Sequence, residues 1–226
     1  MSVDLPRAEL DSMSIVLVGA FNPRIFHPAW LVAHGLVPEG DADTAEINII
    51  NNNVSLFTFD WCRIEVLENR FLIGSHTASN VDIVRDLILG MLRTIQYTPI
   101  ERMGLNRQCH FRLPNEMLWH DFGHRIAPKA VWEPILKNPG MRSINIEGAR
   151  EDGLPGHTRV VVEPSKRSDH GIYVDINDEF VTDDENDTEW ACQILEENWE
   201  PHRRTSERIF DHLLRIAVGG VDNEPA

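Results

Sequence analysis

Cys62, Ile64 and Val66 alternate with Arg63 and Glu65, and the same rhythm returns at Phe71 and Ile73. A period of two turns the apolar side chains to one face of a strand and the charged ones to the other. Such a strand has one side that must be covered. A matching cover follows directly: Val81, Val84, Leu87, Ile88, Met91, Leu92 and Ile95 recur at three and four residues, one wide apolar stripe on a helix. Asn80 is placed to cap its first turn and Pro99 to end it. One-faced strands beside a one-faced helix imply an α+β protein, a curved, mainly antiparallel sheet with helices packed on one face.

The remaining chain extends this pattern. Ile15 to Val18 is a β-branched apolar run closed by Gly19, and Pro28 opens a short helix carrying Trp30, Leu31 and Val32. From Glu46 to Thr77 the pattern is two strands, with Glu68-Asn69 as a tight turn. A strand is predicted from Arg102 to Leu113 and a helix from Glu116 to Arg125. Pro128, Pro134 and Pro139 then cut the chain into short pieces. Three strands follow around Ile144, Val160 to Val162, and Ile172 to Ile176. An acidic loop from Asp178 to Glu189 leads to helical sequence over Thr188 to Val218, which Pro201 is expected to split in two. The expected organisation is a flexible lead over 1–13, one domain over 14–218, and a flexible tail over 219–226. Similar element order suggests two halves, 14–113 and 114–218.

Composition narrows the function classes. The 226 residues are 42% hydrophobic and 25% charged, and 21 Lys and Arg stand against 36 Asp and Glu for a net charge of -15. A general nucleic-acid binder carries the opposite sign, and an anionic membrane surface would repel this chain. Three cysteines, Cys62, Cys109 and Cys192, stand far apart and in odd number, which fits a reducing, cytoplasmic setting. No apolar run reaches the ~18 residues of a membrane span.

Trp61 to Val66 with Phe71 to Ile73, the long helix, and Ile100-Glu101-Arg102-Met103-Gly104-Leu105-Asn106 together resemble a sporadically distributed bacterial family of unknown function. That family has a strand pair, a helix and an Arg-x-Gly-Leu strand in this order. Val174-Asp175-Ile176 and His202 to Phe210 are similar to its C-terminal part, whereas Arg107, Gln108 and Cys109 replace its Tyr and Asn. The resemblance implies a bacterial, cytoplasmic α+β protein, a subunit of an accessory or mobile-element-encoded system. It transfers no catalytic residue.

Few residues form a chemical constellation. His120 and His124 are four apart, so a helix puts both rings on one face, with Asp121 where a zinc hydrolase has its glutamate base. The alternative reading is therefore a metal-dependent hydrolase holding zinc or another divalent metal. Two histidines do not fill a four-coordinate site, and packing beside Trp119 and Phe122 explains them as well. Cys109 and His110 are neighbours on a strand and face opposite ways, so they cannot form a nucleophile-base pair. Six tryptophans remain, of which Trp119, Trp132, Trp190 and Trp199 sit at element ends. Arg203, Arg204 and Arg208 form the sharpest basic cluster; pairing with Glu196, Glu197, Glu200 or Glu207 is its simplest explanation. These features point to a non-catalytic protein-interaction module that binds a protein partner or self-associates through Trp190, Trp199, Arg203, Arg204 and Arg208, without a cofactor. An acidic immunity or decoy protein that blocks a basic enzyme is a further alternative.

Overall fold

The computed structural model describes residues 5–182 and 188–219. Among these residues nine strands form one open antiparallel sheet. In chain order they are β1 (Ala8–Gly19), β2 (Glu46–Ile50), β3 (Val54–Phe59), β4 (Cys62–Leu67), β5 (Arg70–Ser75), β6 (Ile100–Arg112), β7 (Ile144–Ala149), β8 (Gly156–Pro164) and β9 (Gly171–Val181). Across the sheet the order is β2-β3-β4-β5-β1-β6-β9-β8-β7. The helices are α1 (Pro28–Ala33), α2 (Glu39–Asp43), α3 (Val81–Thr94), α4 (Glu116–Ile126) and α5 (Thr188–Ala217). The fold is α+β with a curved antiparallel sheet, as the alternation predicts.

Register aligns the buried residues in rows. Phe57, Ile64, Ile73, Ile15 and Leu105 stand opposite one another across β3, β4, β5, β1 and β6, and all five are buried. The apolar stripe of α3 and the inner face of α5 lie in the same cores as these rows. The opposite face of the sheet shows Arg63, Gly74, Ser14, Asn106, Asn177 and Arg159 in one row. Asn177 donates to Asn106 there at 2.7 Å.

Topology arranges the elements in two units of similar order. Each unit is a long strand, a helical segment, a meander that returns beside the long strand, and a helix: β1, α1–α2, β2–β5, α3, and then β6, α4, β7–β9, α5. β1 and β6 pair antiparallel at the centre. In this grouping β6 goes with α4, β7–β9 and α5, whereas the expected halves 14–113 and 114–218 put it with the first set of elements.

Other expectations are corrected too. The strand β1 begins at Ala8, where a flexible lead was expected, because β6 is long enough to pair it back to Phe111. Between Glu46 and Thr77 there are four strands, not two. Asn80 makes no side-chain cap; a 3-10 turn over Ala78–Asn80 leads into α3 instead. α5 runs through Pro201 as one helix of 30 residues. Pro201 faces solvent, whereas Trp199 and His202 on either side are buried, so packing outweighs the ~3 kcal/mol a helical proline costs. Asp178 and Glu179 belong to β9, held by β6 and β8 on either side, not to an acidic loop. Asp183 to Asp187 and the tail from Gly220 lie outside the described residues.

α4 is positioned by Asn115, whose side chain accepts from the Leu118 amide at 2.9 Å, and by Phe122, which is buried in the second core. Gly123 sits one residue on. A Cβ added there meets nothing within 4 Å, so no contact requires a glycine. Gly123→Ala is expected to raise stability by about 0.5–1 kcal/mol, seen as a higher urea midpoint at constant m.

Candidate functional site

Two hydrophobic cores lie under the helices, one centred on Ile15, Ile73, Met91 and Trp199, the other on Phe111, Phe122, Val174 and Phe210. A polar belt separates them. On β9 the inward positions read Ile172, Val174, Ile176, Asp178 and Phe180, so Asp178 enters the helix-covered side in the place of an apolar residue. Its carboxylate accepts from the Thr158 hydroxyl at 2.5 Å and pairs with Nδ1 of His202 on α5 at 2.6 Å. Arg150 stacks 3.7 Å above the Phe180 ring, pairs with Asp152 at 2.5 Å, and brings Nη1 to 3.8 Å from Asp178. Arg107 continues the belt on β6: it binds both carboxylate oxygens of Asp11 and reaches Glu207 and the Arg203 carbonyl on α5.

The belt has the parts of a relay. Asp178 orients His202, Nε2 of His202 has no partner, and Ser206 follows one turn later with an unpartnered hydroxyl. Both His202 and Ser206 are buried, so no substrate reaches them in this conformation. What the arrangement does is fix α5 on the sheet in one register, because each buried charge must meet its partner. Burial raises the Asp178 pKa, but the His202 hydrogen bond and charge, the Thr158 hydroxyl and Arg150 outweigh it and hold the carboxyl below its ordinary value.

The tryptophan and arginine residues expected to bind a partner are dispersed by the fold. Trp199 is a core residue, its indole N–H donating to Asp82 at 2.8 Å, and so it offers no docking surface; at an element end in the sequence, it is interior to α5. Trp190 is half-buried against the first core. Arg203 binds Asp82 and Glu200, Arg208 binds Glu151 beyond β7, and Arg204 points outward. Glu196 and Glu207 are taken by Arg93 and Arg107.

His120 and His124 do share α4, but they turn to different neighbours. Nε2 of His120 lies 3.5 Å from Glu116, and Nε2 of His124 lies 3.5 Å from the Lys129 amine. Asp121 is half-buried beside them. Among the described residues no three His, Cys, Asp or Glu side chains converge as metal ligands. Cys62 and Cys109 are no better nucleophiles: burial pushes the Cys62 thiol up to about 12, and burial and Asp11 raise Cys109 as well. His110 stands on the opposite face, as strand geometry requires, with Nδ1 2.8 Å from the Ser165 hydroxyl.

A cluster of exposed apolar side chains follows α4. Val131, Trp132, Ile135 and Leu136 are 70%, 52%, 72% and 52% exposed. The amides of Ile135 and Leu136 both bond the Trp132 carbonyl, so these side chains are gathered on one turn. Prolines 128, 134 and 139 keep the segment from joining the sheet or a longer helix. Residues 125–142 carry Arg125, Lys129, Lys137 and Arg142 against Glu133 alone, a basic island in an acidic chain. Trp132 was visible in the sequence as a tryptophan at an element end; Val131, Ile135 and Leu136 have no periodicity there that marks them. No helix among the described residues is long and apolar enough to cross a membrane. No protein-family profile matches the chain, and no curated protein matches it.

Proposed function

We propose that this protein is a non-catalytic interaction module that self-associates through the turn of residues 131–136, an element of an accessory bacterial system as the family resemblance implies. The observation that carries this reading is four large apolar side chains, each more than half exposed, within six residues. Soluble proteins rarely leave such a cluster uncovered unless a partner covers it. The partner is a second copy, on grounds of charge. The turn is basic, and the chain that bears it is otherwise strongly acidic, so the complementary surface is the protein's own. This contact joins unlike surfaces, head to tail.

Light scattering after size exclusion tests it. At roughly 100 µM, enough to populate a micromolar complex, the wild type is expected to run above its 25.8 kDa monomer mass. A Trp132→Ser, Ile135→Ser, Leu136→Ser variant should be monomeric, with an unchanged urea midpoint because these side chains contribute little to the core. A wild type that stays monomeric at that concentration overturns the proposal.

A further inference from the structure

One side of α4, with Trp119, His120, Phe122 and Gly123, borders a partly open cavity of about 240 Å³ whose other walls are residues 139–141 and the ends of β8 and β9. Its walls are Trp119, Phe122, Met141, Pro164 and Ile172. They are fixed in place: Phe122 and Ile172 are core residues, and the Trp119 indole N–H is held by the Gly171 carbonyl at 3.0 Å. Two further lining residues make this more than a packing gap.

The first is Gly123. A glycine within a helix is unfavourable, and here no neighbour demands it, since a Cβ would meet nothing within 4 Å. The missing side chain leaves the cavity its space. The second is Lys129, half-buried at the cavity wall. Among the described residues no carboxylate forms an ion pair with it; its amine has only the His124 ring at 3.5 Å. Among the described residues, in a chain rich in acidic side chains, none is placed on this cation.

We infer that the cavity is a binding site for a small aromatic monocarboxylate, its ring between Trp119 and Phe122 and its carboxylate on Lys129. Size supports one ring and a short acid arm: an apolar cavity of ~150 Å³ accommodates benzene, and this one is larger by about the volume of such an arm. Mostly apolar walls with a few polar groups to fix orientation, here Lys129 and the His120 ring, are the usual composition of ligand pockets. This inference goes beyond the self-association reading, because none of Val131, Trp132, Ile135 or Leu136 lines the cavity.

Titration calorimetry with 3-phenylpropionate, and with its neutral amide as control, tests the assignment. The acid is expected to bind saturably at least tenfold more tightly than the amide, and Lys129→Met should remove that difference. Gly123→Leu fills the cavity and should abolish binding while its melting temperature stays equal or rises, which shows that the fold is intact; Gly123→Ala keeps most of the space and should still bind. The Trp132, Ile135, Leu136 triple serine variant should bind the acid normally, so loss of self-association and loss of this site are read separately. No saturable binding, binding untouched by Gly123→Leu, or an amide that binds as well as the acid would overturn it.

Discussion

Asp178→Ala is expected to destabilise the protein by about 3–5 kcal/mol, the cost of breaking a buried ion pair from one side. The substitution removes the acceptor for Nδ1 of His202 and for the Thr158 hydroxyl, and His202 Nε2 already has no partner. A buried imidazole is then left without any bond. Replacing both partners with apolar residues, Asp178→Val with His202→Leu, removes the orphaned imidazole, still leaves the Thr158 hydroxyl without its acceptor, and should cost less than the single change. Urea unfolding of the two singles and the double gives the coupling directly. A double-variant loss equal to the sum of the losses of Asp178→Val and His202→Leu would show that the pair is not coupled. The pH dependence has a definite sign. Because the folded carboxyl titrates below its ordinary value, Asp178 contributes stability above the unfolded pKa of about 4, and the contribution disappears as pH falls through the lower folded pKa. Acid unfolding of Asp178→Asn should therefore show a shallower loss below that pH than the wild type shows.

Trp199→Ala should cost a comparable amount, about 3–5 kcal/mol, as for other large aromatic truncations in cores. Trp199 is the largest fully buried side chain and lies where α5 meets α3 and the sheet, with its N–H on Asp82. Truncation opens a cavity and frees one of the two bonds that join α5 to α3 at Asp82, the other being Arg203. Trp199→Phe keeps most of the ring and loses the hydrogen bond, so roughly 1–2 kcal/mol is expected. Equilibrium urea curves distinguish these. A loss below ~1 kcal/mol for the alanine variant would place Trp199 at the surface.

The residues differ in how readable they were. His120 and His124 are on one helix, as their spacing implies, yet their neighbours Glu116 and Lys129 pull them to different contacts. Arg203 and Arg208 form a cluster in sequence and are separated in space by Asp82 and Glu151, residues more than fifty positions away. The polar belt was half visible: extending the alternation of Ile172, Val174 and Ile176 by one step puts Asp178 inside. Its partner His202 could not be found that way, since a helix pattern gives a face but not the strand it meets.

Local periodicity determined the fold class, the strands around Cys62 to Val66, the amphipathic α3 and the start of α4 at Asn115, because these depend on side-chain spacing within a few residues. Tertiary structure decided the rest. Pro201 stays helical because Trp199 and His202 are anchored on either side; Ala8 to Met13 are a strand because β6 is there to pair them; and β1 and β6, far apart in sequence, pair at the centre of the sheet. Each of these outcomes is an energy gained between residues far apart in the chain, large enough to override the local preference that the sequence displays.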